Sequence, residues 1–385
     1  MLKNKILLIG PIGDFGGREV EVNIIARALE NNFNVSILST GYMTADSFAL
    51  KNLKETKWES VPKKINTNNI FLYFLSLLSK IVNKGKLKNY AYLNNLVSKK
   101  LFDLDKLYQI EIEKKINESD LIILCMQLTS KFLPEIVVYC DEKKMPCLVR
   151  TTGTIRQVLE SDASFLTKVS LFIHHSEGNA GNLNNQINLP YSIIDQCALN
   201  EDQLLALEIK SKTALRFGYL GRLSSEKGIL PIANFFSKTT LPFTIAGEGE
   251  LKNELLEIIS DKKNCNFLGS LTNENLALFF DAIDVLIIPS YEESGPLVGL
   301  EAMAAGKIII STKVGAMEER LEGLRSFWFQ IENIATLQAA LEQVLSLNES
   351  ERLMLSNLSR ERYLCKYSLQ AVSEKYKKIT KQFIN

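Results

Sequence analysis

Two glutamates, Glu293 and Glu301, bracket a turn with seven residues between them. The sequence predicts a buried strand over Asp284–Pro289, because a short run of Val and Ile between Asp and Pro has strand composition. A helix is predicted after this turn, with Ser294 as its N-cap and Pro296 at or near its first position. The N-terminus of a helix at the carboxyl edge of a parallel strand presents free amides and a partial positive charge, so this stretch is suited to bind a phosphate group.

Strands and helices alternate along most of the chain, which predicts an α/β protein with parallel sheets. At 385 residues the chain exceeds the size of a single core, about 250 to 300 residues, so two domains are expected. An Asn-rich stretch, 182–203, is predicted to bridge them. Predicted strands cover 6–10, 34–39, 120–125, 145–150 and 171–174, then 216–220, 241–246, 265–268, 284–289 and 308–311. Late helices are predicted near 335–346, 350–360 and 368–383.

A glycine-rich loop, PIGDFGG at 11–17, follows the first predicted strand and precedes a helix over Glu19–Glu30. Gly16 and Gly17 permit an anion to approach the backbone closely. The spacing is neither G-x-G-x-x-G nor a P-loop, so a flexible turn into the helix remains the alternative. For the same reason a Rossmann oxidoreductase is disfavoured.

Residues 50–118 interrupt the alternation with a helical insertion. Its apolar segment, Ile70–Leu78, precedes a run without any acid from 79 to 102. The lysines of that run are Lys80, Lys84, Lys86, Lys88, Lys99 and Lys100. One interpretation is a basic amphipathic face on an anionic membrane, where a lipid-linked substrate would lie. The other is a solvated insertion packed by its apolar side.

Three polar side chains of the first half, Arg150, Thr152 and His174, lie at or just after predicted strands and therefore at the expected ligand edge. Each is a candidate contact for the acceptor or a sugar. For His174 a hydrogen-bonded structural imidazole is the alternative to a substrate role.

Composition excludes several classes of function. The net charge is +1, which gives no case for a nucleic-acid partner. The six cysteines form no C-x-x-C pair, so reduced thiols are expected. The apolar run Ile6–Ile9 is too short for a secretory core, and no stretch approaches 18 uncharged apolar residues. A cytoplasmic protein is predicted.

Three motifs in the second half combine in order: GRLSSEKG at 221–228, FLGSL at 267–271 and PSYEESGPLVGLEAMAAGKIIIST at 289–312. Together they resemble the family 4 retaining glycosyltransferases, which use nucleotide sugars and have the GT-B fold. The resemblance covers the carboxyl-terminal domain well and the first 40 residues moderately. It implies two Rossmann-like, doubly wound parallel-sheet domains facing across a cleft.

The domains implied by this resemblance are an acceptor-side domain, 1–195, with the basic insertion 50–118, and a donor-binding domain, 196–367. The last segment, 368–385, is expected to return as a helix to the first domain. In the family pattern, Glu293 contacts the donor sugar and Glu301 the ribose of the nucleotide.

The family's basic pair on the donor diphosphate corresponds to Arg222 and Lys227. Fixed cations there would stabilise the leaving diphosphate as it gains charge. The implied catalytic set is Arg222, Lys227 and Glu293. The implied donor-binding set is Gly16, Gly17, Gly221, Gly295, Pro296, Leu297 and Glu301.

The implied function is a hexosyl-type transferase of EC class 2.4, acting on a glycan or lipid-linked acceptor of bacterial O-antigen or capsule. No cofactor is expected beyond the nucleotide-sugar substrate. A metal ion is not expected either, because no D-x-D pair lies near the end of a predicted strand. A peripheral position on the inner face of the plasma membrane is a further prediction.

One departure from the family pattern concerns a histidine that often follows the strand ending at Arg150. This chain has Thr151, Thr152 and Gly153 there, so Arg150 or a threonine replaces it, His174 reaches in, or activity is altered. A catalytically degenerate GT-B partner protein and a nucleotide-sugar epimerase are the alternatives.

Overall fold

The computed structural model describes residues 3–384, apart from 154, 156–157, 159, 199, 211–213 and 273–274. These residues form two compact units. The first unit comprises Met1–His174, Ala180–Ile194 and Ser373–Asn385, and the second comprises His175–Asn179 and Asp195–Val372. The roles predicted for 1–195, 196–367 and 368–385 stay predictions.

A parallel sheet forms the centre of the first unit. Its strands are β1 (Lys5–Gly10), β2 (Asn34–Ser39), β3 (Lys57–Ser60), β4 (Leu121–Met126), β5 (Cys147–Thr151), β6 (Leu171–His174) and β7 (Tyr191–Ile193). The seven strands have the order β3-β2-β1-β4-β5-β6-β7, and every pairing is parallel. This confirms the predicted doubly wound α/β architecture for the first half.

The helices that accompany this sheet include the predicted insertion. They are α1 (Gly17–Leu29), α2 (Val61–Asn68), α3 (Ile70–Val82), α4 (Leu96–Leu101), α5 (Leu104–Ile116), α6 (Leu133–Glu142), α7 (Glu160–Leu166) and α8 (Glu177–Asn184). The insertion is not wholly helical, because β3 joins the edge of the sheet beside β2. Likewise the predicted bridge 182–203 contains β7, which pairs with β6.

The second unit is built on its own parallel sheet. Its strands are β8 (Phe217–Leu220), β9 (Phe243–Ala246), β10 (Cys265–Phe267), β11 (Val285–Ile288), β12 (Ile308–Ser311) and β13 (Phe327–Trp328). They have the order β10-β9-β8-β11-β12-β13. The short edge strand β13 was not predicted.

Nine helices follow from residue 201 onward within the described part of the chain. They are α9 (Glu201–Leu205), α10 (Ile229–Phe236), α11 (Lys252–Ile259), α12 (Leu276–Ala282), α13 (Leu297–Ala304), α14 (Met317–Leu321), α15 (Ile334–Leu345), α16 (Glu349–Lys366) and α17 (Leu369–Phe383). The sequence also predicts a helix over Glu274–Phe280, whose first residue lies outside the described residues. None of the described helices is both long and apolar enough to cross a membrane.

The central strands are continuous apolar runs, as expected for parallel strands covered on both faces. All six residues of β4 and all four of β11 are buried. Both strands were predicted from these runs. Helix ends were predicted less well: α13 begins at Leu297 with Pro296 as its N-cap, so the prediction of Ser294 as N-cap is wrong.

Candidate functional site

The candidate site lies at the carboxyl edge of the second sheet, where β8 and β11 are neighbours. Val285 pairs with Phe217 and Leu286 with Gly218, in parallel. The loops that follow these strands, 221–228 and 289–296, therefore leave the sheet side by side. Strand order thus brings together two motifs that are about 70 residues apart in the sequence.

Lys227 and Glu293 form an ion pair between these two loops. The Lys227 ammonium donates to Glu293 Oε1, and their side chains are 20% and 18% exposed. Ser290 Oγ also donates to Glu293 Oε1, at 3.3 Å. A partly exposed cation and carboxylate therefore share one position at the sheet edge. The sequence predicted a ligand role for each residue but not their contact.

Arg222 lies on the first of these loops with its guanidinium at the surface, 70% exposed. Its Nη1 atom is 3.6 Å from Glu226 Oε1, and its backbone carbonyl accepts a 2.7 Å hydrogen bond from the Tyr219 hydroxyl. Glu226 accepts from Ser224 Oγ at 2.6 Å, which lowers the pKa of the Glu226 carboxyl. The backbone of Arg222 is thus fixed while its side chain stays accessible.

Close backbone contacts hold the two loops together. Gly228 has φ +64°, and a Cβ there would lie 2.1 Å from the carbonyl oxygen of Pro289. One residue past Ser290, the amide of Tyr291 donates to the carbonyl of Glu226 at 2.9 Å. A side chain at position 228 would therefore push the Glu293 loop away from Lys227. At the start of loop 221–228, the amide of Gly221 donates to the carbonyl of Ala246 at 3.1 Å.

A buried arginine fixes the start of α13. Arg320 has no exposed surface and forms two 2.7 Å hydrogen bonds with the carboxylate of Asp195. Its Nη1 atom donates to the carbonyl of Pro296 at 2.6 Å. A Cβ at Gly295 would lie 3.0 Å from Arg320 Nη2, so this position requires a small residue. Within the described part of the chain, no side chain caps the N-terminus of α13. The amide of Leu297, the first helical residue, therefore lies at an end of the helix that is suited to an anion.

Glu301 lies one turn into α13 and is only 9% exposed. Burial raises the pKa of its carboxyl to about 7. Among the described residues, no side chain forms an ion pair or hydrogen bond with this carboxylate. The group is therefore available to accept hydroxyl donors from a ligand.

In the first unit the glycine loop contains a carboxylate of its own. Gly16 has φ +143° and precedes α1, which begins at Gly17. Glu19 Oε1 accepts from the amide of Gly13 at 2.6 Å, and a Cβ at Gly16 would lie 2.7 Å from Glu19 Oε2. A carboxylate thus occupies part of the space where the sequence predicted an anion. The phosphate role of Gly16 and Gly17 stays a prediction.

The three candidate contacts after β5 and β6 are mostly inside the first unit. Arg150 is fully buried, and its Nε atom pairs with Glu21 Oε1 at 2.9 Å. His174 is fully buried beside Thr151, with 2.9 Å between Nδ1 and Oγ1, and burial lowers its pKa to about 4. Thr152 is half-buried, and its hydroxyl has no partner among the described residues. The side chains of Arg150 and His174 are therefore inaccessible in this structure.

Two parts of the site were missed by sequence reasoning. One is the Asp195–Arg320 pair. The other is Gly315, whose φ is +52° and where a Cβ would lie 2.5 Å from the carbonyl of Ser294. Gly315 and Arg320 follow β12, which is the other neighbour of β11, so reasoning from the shared edge could have found them. In the described parts of the chain no cluster of three or more His, Cys, Asp or Glu side chains could hold a metal ion.

Comparison with known proteins connects this edge to a family. Residues 206–362, which contain both loops, match the model described as glycosyl transferases group 1. An uncharacterized glycosyltransferase of Methanocaldococcus jannaschii is 26% identical over 164 residues, which cover 40% of this chain and 42% of the relative. The lipopolysaccharide 1,2-N-acetylglucosaminetransferase of Salmonella typhimurium is 24% identical over 184 residues, covering 43% and 48%. The chain thus spans less than half the length of either relative.

The whole chain resembles solved structures in fold. The Anabaena protein HepE in complex with UDP-glucose superposes with a TM-score of 0.70, at 16% identity and over 98% of this chain and 100% of that one. The sucrose-phosphate synthase of Thermosynechococcus elongatus gives 0.73, at 15% identity and over 99% of each chain. The fold is therefore GT-B, as predicted.

Proposed function

We propose that this protein is a retaining glycosyltransferase of EC class 2.4. In this proposal it moves a hexosyl-type sugar from a nucleotide-diphosphate sugar to a glycan or lipid-linked acceptor, without a metal ion or other cofactor. The acceptor belongs to the synthesis of a bacterial surface polysaccharide, either O-antigen or capsule. The protein acts in the cytoplasm, peripherally on the inner face of the plasma membrane.

One observation carries the proposal: Lys227 and Glu293 meet at the edge of the sheet, inside the segment that matches glycosyl transferases group 1. A cation for the diphosphate and a carboxylate for the sugar are thereby adjacent. The start of α13 and the unpartnered Glu301 lie on the segment that directly follows. The similarity to the lipopolysaccharide 1,2-N-acetylglucosaminetransferase supports a role in the synthesis of a surface polysaccharide. The similarity to HepE, which was solved in complex with UDP-glucose, supports a nucleotide sugar as the donor.

In this mechanism the cationic groups bind the diphosphate and the carboxylates bind hydroxyl groups. When the bond between the sugar and the diphosphate breaks, the leaving group gains negative charge, which Lys227, Arg222 and the amides at the start of α13 stabilise. Glu293 accepts hydrogen bonds from sugar hydroxyls, and Glu301 accepts them from the ribose. The hydroxyl oxygen of the acceptor bonds to the anomeric carbon while the bond from that carbon to the phosphate oxygen breaks. The hydroxyl proton passes to the departing phosphate oxygen. Attack from the same face retains the configuration.

Donor binding must first open the contact between Lys227 and Glu293. The ammonium exchanges the carboxylate for a phosphate oxygen, and the carboxylate exchanges the ammonium for sugar hydroxyls. A nucleoside diphosphate without the sugar satisfies only Lys227 and leaves Glu293 without a cation, with Ser290 as its hydrogen-bond donor. The two residues therefore have different effects on the binding of the donor and of its nucleotide product.

The test measures binding by thermal shift, with a panel of nucleoside diphosphates and nucleotide sugars, and transfer by product analysis. Lys227→Ala is expected to weaken binding of both ligands by about 10- to 100-fold, since a hydrogen bond to a charged group contributes about 1.5–3 kcal/mol. Glu293→Gln is expected to keep or improve binding of the nucleoside diphosphate. It should lose the additional affinity for the sugar and about 100-fold in transfer rate.

The matched control is an exposed ion pair of the same unit, Lys210–Glu208, at 2.7 Å. Lys210→Ala and Glu208→Gln should leave binding and transfer unchanged. If folded Lys227→Ala and Glu293→Gln proteins transfer sugar as fast as the parent, the proposed roles are wrong. Binding without any turnover would favour a degenerate partner protein, and a change in the donor sugar without an acceptor would favour an epimerase. Loss of transfer in EDTA would contradict metal independence.

A further inference from the structure

Helices α3 and α4 of the first unit expose a large apolar surface, called here the α3–α4 face. Its exposure reaches 70% at Phe71, 78% at Val82 and 87% at Leu96. The large apolar side chains of this face are Ile70, Phe71, Tyr73, Phe74, Leu78, Ile81 and Val82 on α3, Leu87 in the connecting segment, and Leu96, Val97 and Leu101 on α4. Single exposed apolar residues are normal, but a contiguous group of this size marks an interaction surface.

The orientation of α3 is fixed by its other side. Leu72 and Ser76 are fully buried. Asn66 Nδ2 donates to Ser76 Oγ at 2.9 Å, and the Asn69 side chain caps the helix by accepting from Phe71 and Leu72. The narrow buried side thus holds the helix in place while the wider apolar side faces outward. The predicted alternative, an insertion packed by its apolar side, therefore holds only for the side of α3 that carries Leu72 and Leu75.

The segment that carries this face contains basic residues but no acidic ones. No Asp or Glu occurs between Glu59 and Asp103. None of the six lysines forms an ion pair with any residue that the structure describes. These lysines are Lys80, Lys84, Lys86, Lys88, Lys99 and Lys100, of which all but Lys80 are exposed. Apolar side chains beside unpaired cations are complementary to a surface with an apolar interior and anionic headgroups.

We propose that the α3–α4 face binds the surface of an anionic lipid bilayer, a partner consistent with the proposed function. Helix α3 has 13 residues and is therefore about 20 Å long, which is shorter than the hydrocarbon thickness of about 30 Å. It lies along the interface, with Phe71, Phe74 and Leu78 at the level of the acyl chains. The lysines contact the headgroups.

A second copy of the chain fits this face less well. In a twofold interface the same patch meets itself, so the lysines of one copy would approach those of the other. A bilayer with anionic headgroups supplies the opposite charge and has no such repulsion. Charge therefore favours the lipid surface over self-association.

The test is flotation of the full chain with vesicles, without donor or acceptor. The vesicles contain either phosphatidylcholine alone or a mixture of phosphatidylcholine and phosphatidylglycerol. The parent is expected to float with the anionic vesicles only. Changing Lys80, Lys84, Lys86 and Lys88 to Gln should reduce binding at least about tenfold and remove most of its dependence on salt. Changing Phe71, Phe74 and Leu78 to Ser should abolish binding at every salt concentration.

Matched controls use residues of similar exposure elsewhere. Leu278, Met354 and Leu364 are 67%, 55% and 44% exposed, and their change to Ser should not alter flotation. The charge control changes Lys238, Lys262, Lys263 and Lys381, which are all exposed, to Gln. If the controls lose as much binding as the test variants, or if the parent does not bind anionic vesicles, the proposal is wrong.

Two further measurements separate this proposal from others. Light scattering of the parent and the Ser variant would reveal a dimer that the substitutions dissociate, which would assign the face to self-association and overturn the proposal. Transfer to a water-soluble acceptor without vesicles tests the enzymatic function alone. Membrane binding without transfer, or transfer without membrane binding, would show which of the two proposals fails.

Discussion

At the scale of single residues, Glu301 is unusual because it is a buried carboxyl that no described side chain partners. Its pKa is about 7, compared with an ordinary value of 4.5. Between these pH values the folded protein holds a proton that the unfolded chain has released, so the free energy of unfolding falls as the pH rises from 4.5 to 7. Above pH 7 the buried carboxyl is ionised, and this lowers the free energy of unfolding by its full amount, about 3 kcal/mol.

We therefore predict that Glu301→Gln is more stable relative to the parent at pH 8 than at pH 4.5, by about 2–3 kcal/mol. Urea unfolding at both pH values measures this difference. Glu257→Gln, an exposed change in the same unit, is the control and should show no such difference. A Glu301→Gln advantage that does not change with pH would mean that the carboxyl is already ionised at low pH. The same variant should bind nucleotides more weakly if Glu301 receives the ribose.

At the scale of elements, the loop before α13 depends on a residue outside it. Arg320, in α14, joins the carboxylate of Asp195 to the carbonyl of Pro296 with three hydrogen bonds. The planar guanidinium can make these bonds together, but a lysine ammonium cannot reproduce the paired geometry. The start of α13 thus depends on a buried contact between distant parts of the chain.

We predict that Arg320→Lys lowers the free energy of unfolding by about 3 kcal/mol, because it leaves a buried charge poorly paired. Nucleotide affinity should also fall, since Gly295 and Pro296 lose their support. Denaturant unfolding and thermal shift measure the two effects. Arg325→Lys, at a half-exposed arginine of the same unit, should change stability by less than about 0.5 kcal/mol. Unchanged nucleotide affinity in Arg320→Lys would argue against a positioning role.

At the scale of the whole molecule, the end of the chain belongs to the unit in which the chain begins. The segment Ser373–Asn385 is part of the first unit, where the Tyr376 hydroxyl donates to Glu21 Oε1 at 3.0 Å. The same carboxylate pairs with Arg150. Burial, the largest cause, raises the pKa of the Tyr376 hydroxyl well above its usual range, so it stays protonated as a donor. Three segments that are distant in sequence thus meet at Glu21.

We predict that Tyr376→Phe destabilises the first unit by about 2 kcal/mol, because Glu21 loses a hydrogen bond to a charged group. Hydrogen exchange should report faster opening of β4 with little change at β11 of the second unit. The control is Tyr73→Phe, at an exposed tyrosine of the same unit. Equal loss of protection in both units would mean that the bond does not stabilise the first unit specifically.

The two-sheet architecture and most central strands could be predicted from the order of residues along the chain. Runs such as LIILCM and VLII are apolar throughout, because parallel strands buried on both faces leave no other choice. The edge strands β3, β7 and β13 are only two to four residues long, too short to show an alternating or continuous apolar pattern, and β3 and β7 also carry polar residues. Through their resemblance to a family, the motifs also made Lys227, Glu293 and Glu301 candidates for the site.

Which of these side chains contact one another depends on the tertiary structure. The Lys227–Glu293 contact follows from the pairing of β8 with β11, and strand order depends on long-range contacts that local patterns do not encode. The N-cap was misassigned to Ser294 because Arg320 and Gly315, which hold that loop, are distant in sequence. Arg150 and His174 are polar residues that the fold buries with partners. The apolar segment Ile70–Leu78 allowed either a packed or an exposed face. The structure buries Leu72 and Ser76 and leaves Phe71, Phe74 and Leu78 exposed.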